Sequence, residues 1–268
     1  MMHKLTGVTR GYLFIILVLI VATVMGLVLK LPAEIYMFGP MITVLILMLV
    51  TGDAFKRKGW ASLGLHKAGF KYWGFALLVP IVVLTAAYGL LWLTPYASFT
   101  LPEGATPSLL LLIPVKFVLA LAVYTITSSL GEEIGWRGYL LPRLASIGIG
   151  KALLLIGIVH GVFHFPIMIA GDYHAAGNPW IVIPMFVVTT ILISIVFGII
   201  RLSTGSIWPA VLMHAVHNVF WAVLREFTAA HSGVAEYIGG ESGIVVIVLY
   251  GMVAVWLIKK EKLRLQVG

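Results

Sequence analysis

The 268-residue chain contains no cysteine, so neither a disulfide framework nor a thiol nucleophile is open to it. Charge is scarce too: 10% of residues are charged, against about 25% in soluble domains. Acidic residues are the rarest part, 10 in all against 18 lysines and arginines, for a net charge of +8. Internal repeats, low-complexity tracts and any stretch polar enough for a separate soluble domain are missing. No small-residue cleavage site follows the first apolar run, Tyr12 to Val28, so that run is expected to stay as a span and not to be removed as a signal.

What is present is apolar sequence: 61% of residues are hydrophobic and the mean hydropathy is +1.07. Eight runs of membrane length are expected, at about residues 11–29, 35–51, 72–93, 109–130, 152–170, 180–200, 207–224 and 243–258. With both termini placed in the cytoplasm, every lysine and arginine except Lys30, Lys116 and Arg225 falls on the cytoplasmic side, including Lys4, Lys262 and Arg264 in the head and tail. That is a strong positive-inside bias, and it explains the basic balance without nucleic acid. The expected fold is an all-α polytopic membrane helical bundle of about eight transmembrane helices. It would form one integral membrane domain, 1–268, with a core for chemistry at about 109–224, surrounded by membrane lipid in a prokaryotic cell membrane.

Against this background the segment Ser129 to Arg143 stands out. It sets Glu132, Glu133 and Arg137 at the end of the fourth run. An ionisable group at membrane depth costs about 2.5–3.5 kcal/mol on insertion scales, so two adjacent carboxylates there imply a task. Glu133 and Arg137 are i,i+4 and can pair, while Glu132 points about 100° away and stays available for chemistry. The fifth run carries His160 and His164, again i,i+4, with Gly157 and Gly161 flattening one side for a neighbouring helix and Pro166 freeing backbone carbonyls just beyond. The seventh carries His214, His217 and Asn218 on one face. Three helices thus offer polar groups to one interior site.

Peptide hydrolysis needs a base for water, an acid for the leaving amine and donors for the oxyanion, and such a set supplies them. Ser128 and Ser129 have neither a Gly-x-Ser-x-Gly turn nor a lysine partner, which makes a serine nucleophile a poor fit. Structural readings exist for each residue: an ion pair for Glu133 and Arg137, interhelical hydrogen bonds for the histidines. His160 and His217 are expected as packing or supporting groups. Trp136, Tyr139 and Trp208 are expected as anchors at the membrane interface, 139–146 as a short interfacial piece, and His3, His66, His174 and His231 as solvated. Lys116, inside the fourth run, is expected to face an aqueous cavity or a backbone carbonyl.

These three stretches resemble the CPBP family of CAAX prenyl proteases and bacteriocin-processing (abortive-infection) membrane proteins. Glu132, Glu133 and Arg137 match its Glu-Glu-x-x-x-Arg motif, His164 its Phe-x-x-x-His motif, and His214 with Asn218 its His-x-x-x-Asn motif. His160 stands where the family usually has phenylalanine. The resemblance implies an intramembrane endopeptidase with Glu132 as base, His164 as its partner, His214 and Asn218 at the oxyanion, and Glu133 and Arg137 as supports. The substrate would be a peptide or lipid-modified protein. A metal-free mechanism is the favoured expectation. Because His160 and His164 have a spacing that binds zinc on a helix, zinc held by Glu132, His164 and His214, with His160 as a further ligand, is the alternative. Two other function classes stay open: a proton-coupled transporter, which would be expected to show inverted repeats, and a non-catalytic membrane scaffold or immunity protein.

Overall fold

A bilayer offers backbone groups no hydrogen-bond partners, so apolar runs of this length must satisfy their own as helices. A computed structural model describes residues 6–171, 173 and 177–261 in these terms; His3, Lys4, His174, Lys262 and Arg264 lie outside the described residues. Helix α1 (Gly7–Thr23) starts where the Thr6 side chain accepts from the Thr9 amide, and continues as a π-helical turn, Val24–Val28. Short α2 (Ala33–Tyr36) leads into α3 (Gly39–Thr51), which stops at Gly52 with φ of 73°, a conformation glycine adopts at little cost. The basic loop holds α4 (Arg57–Ser62), followed by α5 (Trp73–Leu91). Strand β1 (Ala97–Phe99), α6 (Pro107–Leu111) and α7 (Ile113–Ile126) come next. Then α8 (Ser128–Glu133) runs through a π-helical segment, Ile134–Leu140, into α9 (Leu141–Leu144). The second half comprises α10 (Ile149–Phe163), α11 (Phe165–Ala170), α12 (Pro179–Thr204), α13 (Trp208–Glu226), β2 (Thr228–Ala230), α14 (Val234–Gly239) and α15 (Ile244–Glu261). The two strands form an antiparallel ribbon with Ala97 opposite Ala230.

Among the described residues, seven helical stretches are long and apolar enough to cross a membrane: Gly7–Val28, Ala33–Thr51, Phe70–Leu91, Ile113–Ile147, Ile149–Ala170, Pro179–Thr204 and Val234–Glu261. The protein is an all-α, integral, multi-pass membrane protein. The eighth expected run is the helix α13. It falls outside the seven because His214, His217, Asn218, Arg225 and Glu226 dilute its apolar character.

The fourth stretch corrects two expectations. It continues past residue 130 to Ile147, and 139–146 belongs to this stretch and is not a separate short piece. Tyr139, Leu140, Leu141 and Leu144 are fully buried, and a Cβ on Gly11 of α1 would lie 2.8 Å from a Leu144 methyl. Thr127, at φ −112° and ψ −106°, separates α7, which buries no residue, from the segment that begins at Ser128, where every residue to Leu141 is buried except the half-buried Leu130. Lys116 is exposed on α7 and does not line the cavity described below. The helix that approaches Gly157 and Gly161 is α12: a Cβ at Gly157 would lie 2.5 Å from the Ile191 Cα, and the Thr190 hydroxyl donates to the Gly157 carbonyl at 3.0 Å.

Candidate active site

The site begins where α8 widens into the π-helical segment, a distortion often found at functional sites. Glu133 and Arg137 are 0% and 1% exposed, and Arg137 Nη1 donates to Glu133 Oε1 at 2.8 Å. Arg137 Nη2 donates to Ser194 Oγ of α12 at 3.0 Å, and the guanidinium sits 5.0 Å from the Phe197 ring centre. Glu133 Oε1 also meets His214 Nδ1 of α13 at 3.0 Å. The π-helical turn displaces carbonyls from the α-helical ladder, and Arg201 Nε donates to one of them, the Arg137 oxygen, at 3.2 Å.

Glu132 faces the other way. Its Oε2 lies 2.9 Å from His160 Nε2 and accepts from Trp136 Nε1 at 3.3 Å, and its Oε1 lies 3.7 Å from His214 Nε2. Trp136 stacks on His160 with ring centres 5.1 Å apart. Trp136 and Tyr139 are 0% exposed, so the expected interface anchors are core residues instead. Their rings pack with Phe14 of α1 inside the bundle. Trp208 is half-buried and tied by its indole N–H to the Leu65 carbonyl at 2.9 Å. His66 and His231 are exposed.

His164 ends α10 where Pro166, lacking an N–H, interrupts the helical ladder. Its Nδ1 bonds to the His160 carbonyl at 3.0 Å, which makes Nδ1 the N–H donor and leaves the lone pair on Nε2. The Tyr36 hydroxyl donates to the neighbouring Phe163 carbonyl and ties α2 to this corner. Ligand atoms of Glu132, His160 and His164 all lie within 4.8 Å of one another, and all three residues are buried. The direct hydrogen bond to Glu132 comes from His160, the residue expected only to pack or support. His164 stands one step further out.

These groups open onto a cavity of about 340 Å³ that also reaches Asn218 and His217. Exposed residues of α2 and α7 line it as well, Ile35 at 49% and Val123 at 54%. The far wall holds residues that sequence reasoning missed. Glu241 is 6% exposed and accepts from the Tyr173 hydroxyl at 3.0 Å. His217 Nε2 lies 3.8 Å from it, and His217 Nδ1 bonds to the Tyr250 hydroxyl at 2.9 Å. Burial, with Glu241 beside it, raises the Tyr173 hydroxyl well above the ordinary tyrosine range, so it donates to the carboxylate. The available signal was one of only 10 acidic residues, set in the glycine-rich turn before the last apolar run.

Seven membrane-length helices with glutamates and histidines gathered around an internal cavity define a multi-pass membrane protein that keeps its reactive groups inside the bundle. Residues 114–220 match the family model described as type II CAAX prenyl endopeptidase Rce1-like. That segment contains all three motifs behind the resemblance to the CPBP family, and over it the chain is similar to this family model. No curated protein matches the chain.

Proposed function

We propose that the protein is an intramembrane endopeptidase of the CAAX-protease type. It hydrolyses a peptide bond of a peptide or lipid-modified protein near the cytoplasmic membrane face, with water activated by Glu132. The observation that carries this reading is the Glu132 carboxylate in the cavity wall, held at 2.9 Å by His160, with the Nε2 lone pair of His164 placed to accept a hydrogen bond from the same water. Glu132 takes a proton from water as the hydroxide adds to the scissile carbonyl, then returns it to the leaving amine. His214 lies between two carboxylates and is suited to carry a proton on each ring nitrogen, so Nε2–H and the Asn218 amide can face the oxyanion. Glu133, fixed by Arg137, holds the His214 ring. The positive-inside distribution supports cytoplasmic termini.

A zinc reading rests on the same cluster. Glu132, His160 and His164 fit a three-ligand site by residue type and proximity, and bound zinc would act there as a Lewis acid. Metal-ligating histidines normally donate their second nitrogen to a partner. His160 Nδ1 is buried with no hydrogen-bond partner among the described residues, which favours the metal-free reading. Two measurements test the proposal on purified protein. Glu132→Ala and His164→Ala should each abolish cleavage with the thermal unfolding transition retained, and full activity in both refutes the site. Stoichiometric zinc whose removal by chelator abolishes cleavage refutes the metal-free mechanism.

A further inference from the structure

One charge inside a membrane-length stretch plays no part in the hydrolysis described above. Lys116 lies in α7, within Ile113–Ile147, and is exposed. Among the described residues no carboxylate pairs with it. Lipid tails can cover apolar side chains but give an ammonium group nothing to bond, so an unpaired lysine in such a stretch is costly. The helix that carries it is also bare. α7 buries no residue, whereas α1, α3, α5, α10, α12 and α15 each bury several.

The bare face is ordered along its length. Side chains at i, i+3, i+7 and i+11 of a helix share one stripe. Counted from Lys116, these are Leu119, Val123 and Thr127. Leu119 and Val123 are exposed. The Phe117 ring, about 100° further round the helix, meets Phe220 of α13 edge-on with centres 6.1 Å apart, so that side turns to the bundle. Val123 and Thr127 also line the cavity that holds Glu132. The stripe therefore runs from the lone cation to the cavity wall, over about 16 Å at the helical rise. Beside Lys116, Pro114, Val115, Val118 and Leu119 line an open apolar groove, a shape that takes the ridge of a neighbouring helix. A helix seated there meets Lys116 favourably only if it brings a negative charge.

We propose that α7 is the docking face for a membrane-spanning substrate helix, with Lys116 paired to a carboxylate of that helix. This rests on the reading of the cavity as a protease site, and it names the class of substrate. The substrate's carboxylate lies about 11 helical residues from the point where its chain passes Thr127, and the bond to be cut lies beyond that point, inside the cavity.

The test uses the full-length protein in nanodiscs of neutral lipid, repeated with anionic lipid, and quenched single-span peptides of leucine and alanine. Each peptide carries one glutamate, glutamine or lysine, walked along the helix, and a cysteine one turn away from it. Because the chain has no cysteine, Leu119→Cys gives a unique site for disulfide cross-linking on the stripe, and Val255→Cys, exposed on α15, gives the control. At one position the glutamate peptide should cross-link to Leu119→Cys, and be cleaved, about threefold or more better than the glutamine peptide, with no such preference at Val255→Cys. Lys116→Met should bring both ratios close to one, and Lys116→Glu should favour the lysine peptide. The ratios are internal to each preparation, so partial unfolding of a variant does not alter them. No glutamate preference at any position, or a preference intact in Lys116→Met, overturns the proposal. So does a loss in Lys116→Met that is equal for all three peptides and confined to anionic nanodiscs, which assigns Lys116 to a lipid headgroup. Cross-linking with the expected preference but without Glu132-dependent cleavage of any peptide overturns the protease reading and leaves the docking of an acidic helix standing.

Discussion

Replacing Arg137 with methionine tests how the bundle holds its carboxylates. Methionine keeps much of the volume and removes the charge. Glu133, 0% exposed, would lose the guanidinium at 2.8 Å and retain only His214 at 3.0 Å. Ser194 would lose its donor at 3.0 Å and the Phe197 ring its cation. Leaving one partner of a buried pair without the other costs about 3–5 kcal/mol. At roughly 2–4 °C per kcal/mol for chains of this size, the unfolding midpoint should fall by about 6–20 °C. The assay is thermal unfolding of purified protein in detergent, followed by tryptophan fluorescence. The double variant Glu133→Gln/Arg137→Met carries no buried charge at this pair, and should recover at least half of the loss. A fall of less than about 2 °C in the single variant, or a double variant no more stable than the single, would refute this account of the ion pair.

Gly157→Leu should destabilise the bundle by more than the ~1–3 kcal/mol typical of overpacking, because the added Cβ meets the Ile191 backbone at 2.5 Å and α10 must part from α12; a lower unfolding midpoint checks it. Tyr36→Phe removes the donor to the Phe163 carbonyl and should cost about 1–3 kcal/mol, with a drop in kcat because that carbonyl is one residue from His164. Asn218→Ala should lower kcat by about 10²–10³ with little change in KM, as expected for a group that acts mainly on the oxyanion; an equal rise in KM at constant kcat would assign Asn218 to ground-state binding instead.

Most of the fold is readable from apolar length alone, because the bilayer demands it directly. The boundaries fail where one residue type serves two purposes. Trp136 and Tyr139 look like interfacial residues, yet they are buried, since the Phe14 ring of α1 packs against both. The i,i+4 link between Glu133 and Arg137 is local and visible in the sequence. Contacts between helices are not. Which of His160 and His164 meets Glu132 depends on the rotation of α10 about its axis, set by Gly157 and Gly161 against α12 and by the break at Pro166. Glu241 belongs to no motif and joins the cavity only because the turn before α15 folds beside α13.

The central claim is that Glu132 activates the water, and Glu132→Gln tests it most directly. Glutamine preserves the size of the side chain and a hydrogen-bonding oxygen for Trp136, but it cannot take a proton. Single-turnover cleavage by the purified variant in nanodiscs should fall by about 10²–10⁴ relative to the parent, the range for loss of a general base, with the unfolding midpoint within about 3 °C of it. Cleavage at a rate close to that of the parent would contradict the account.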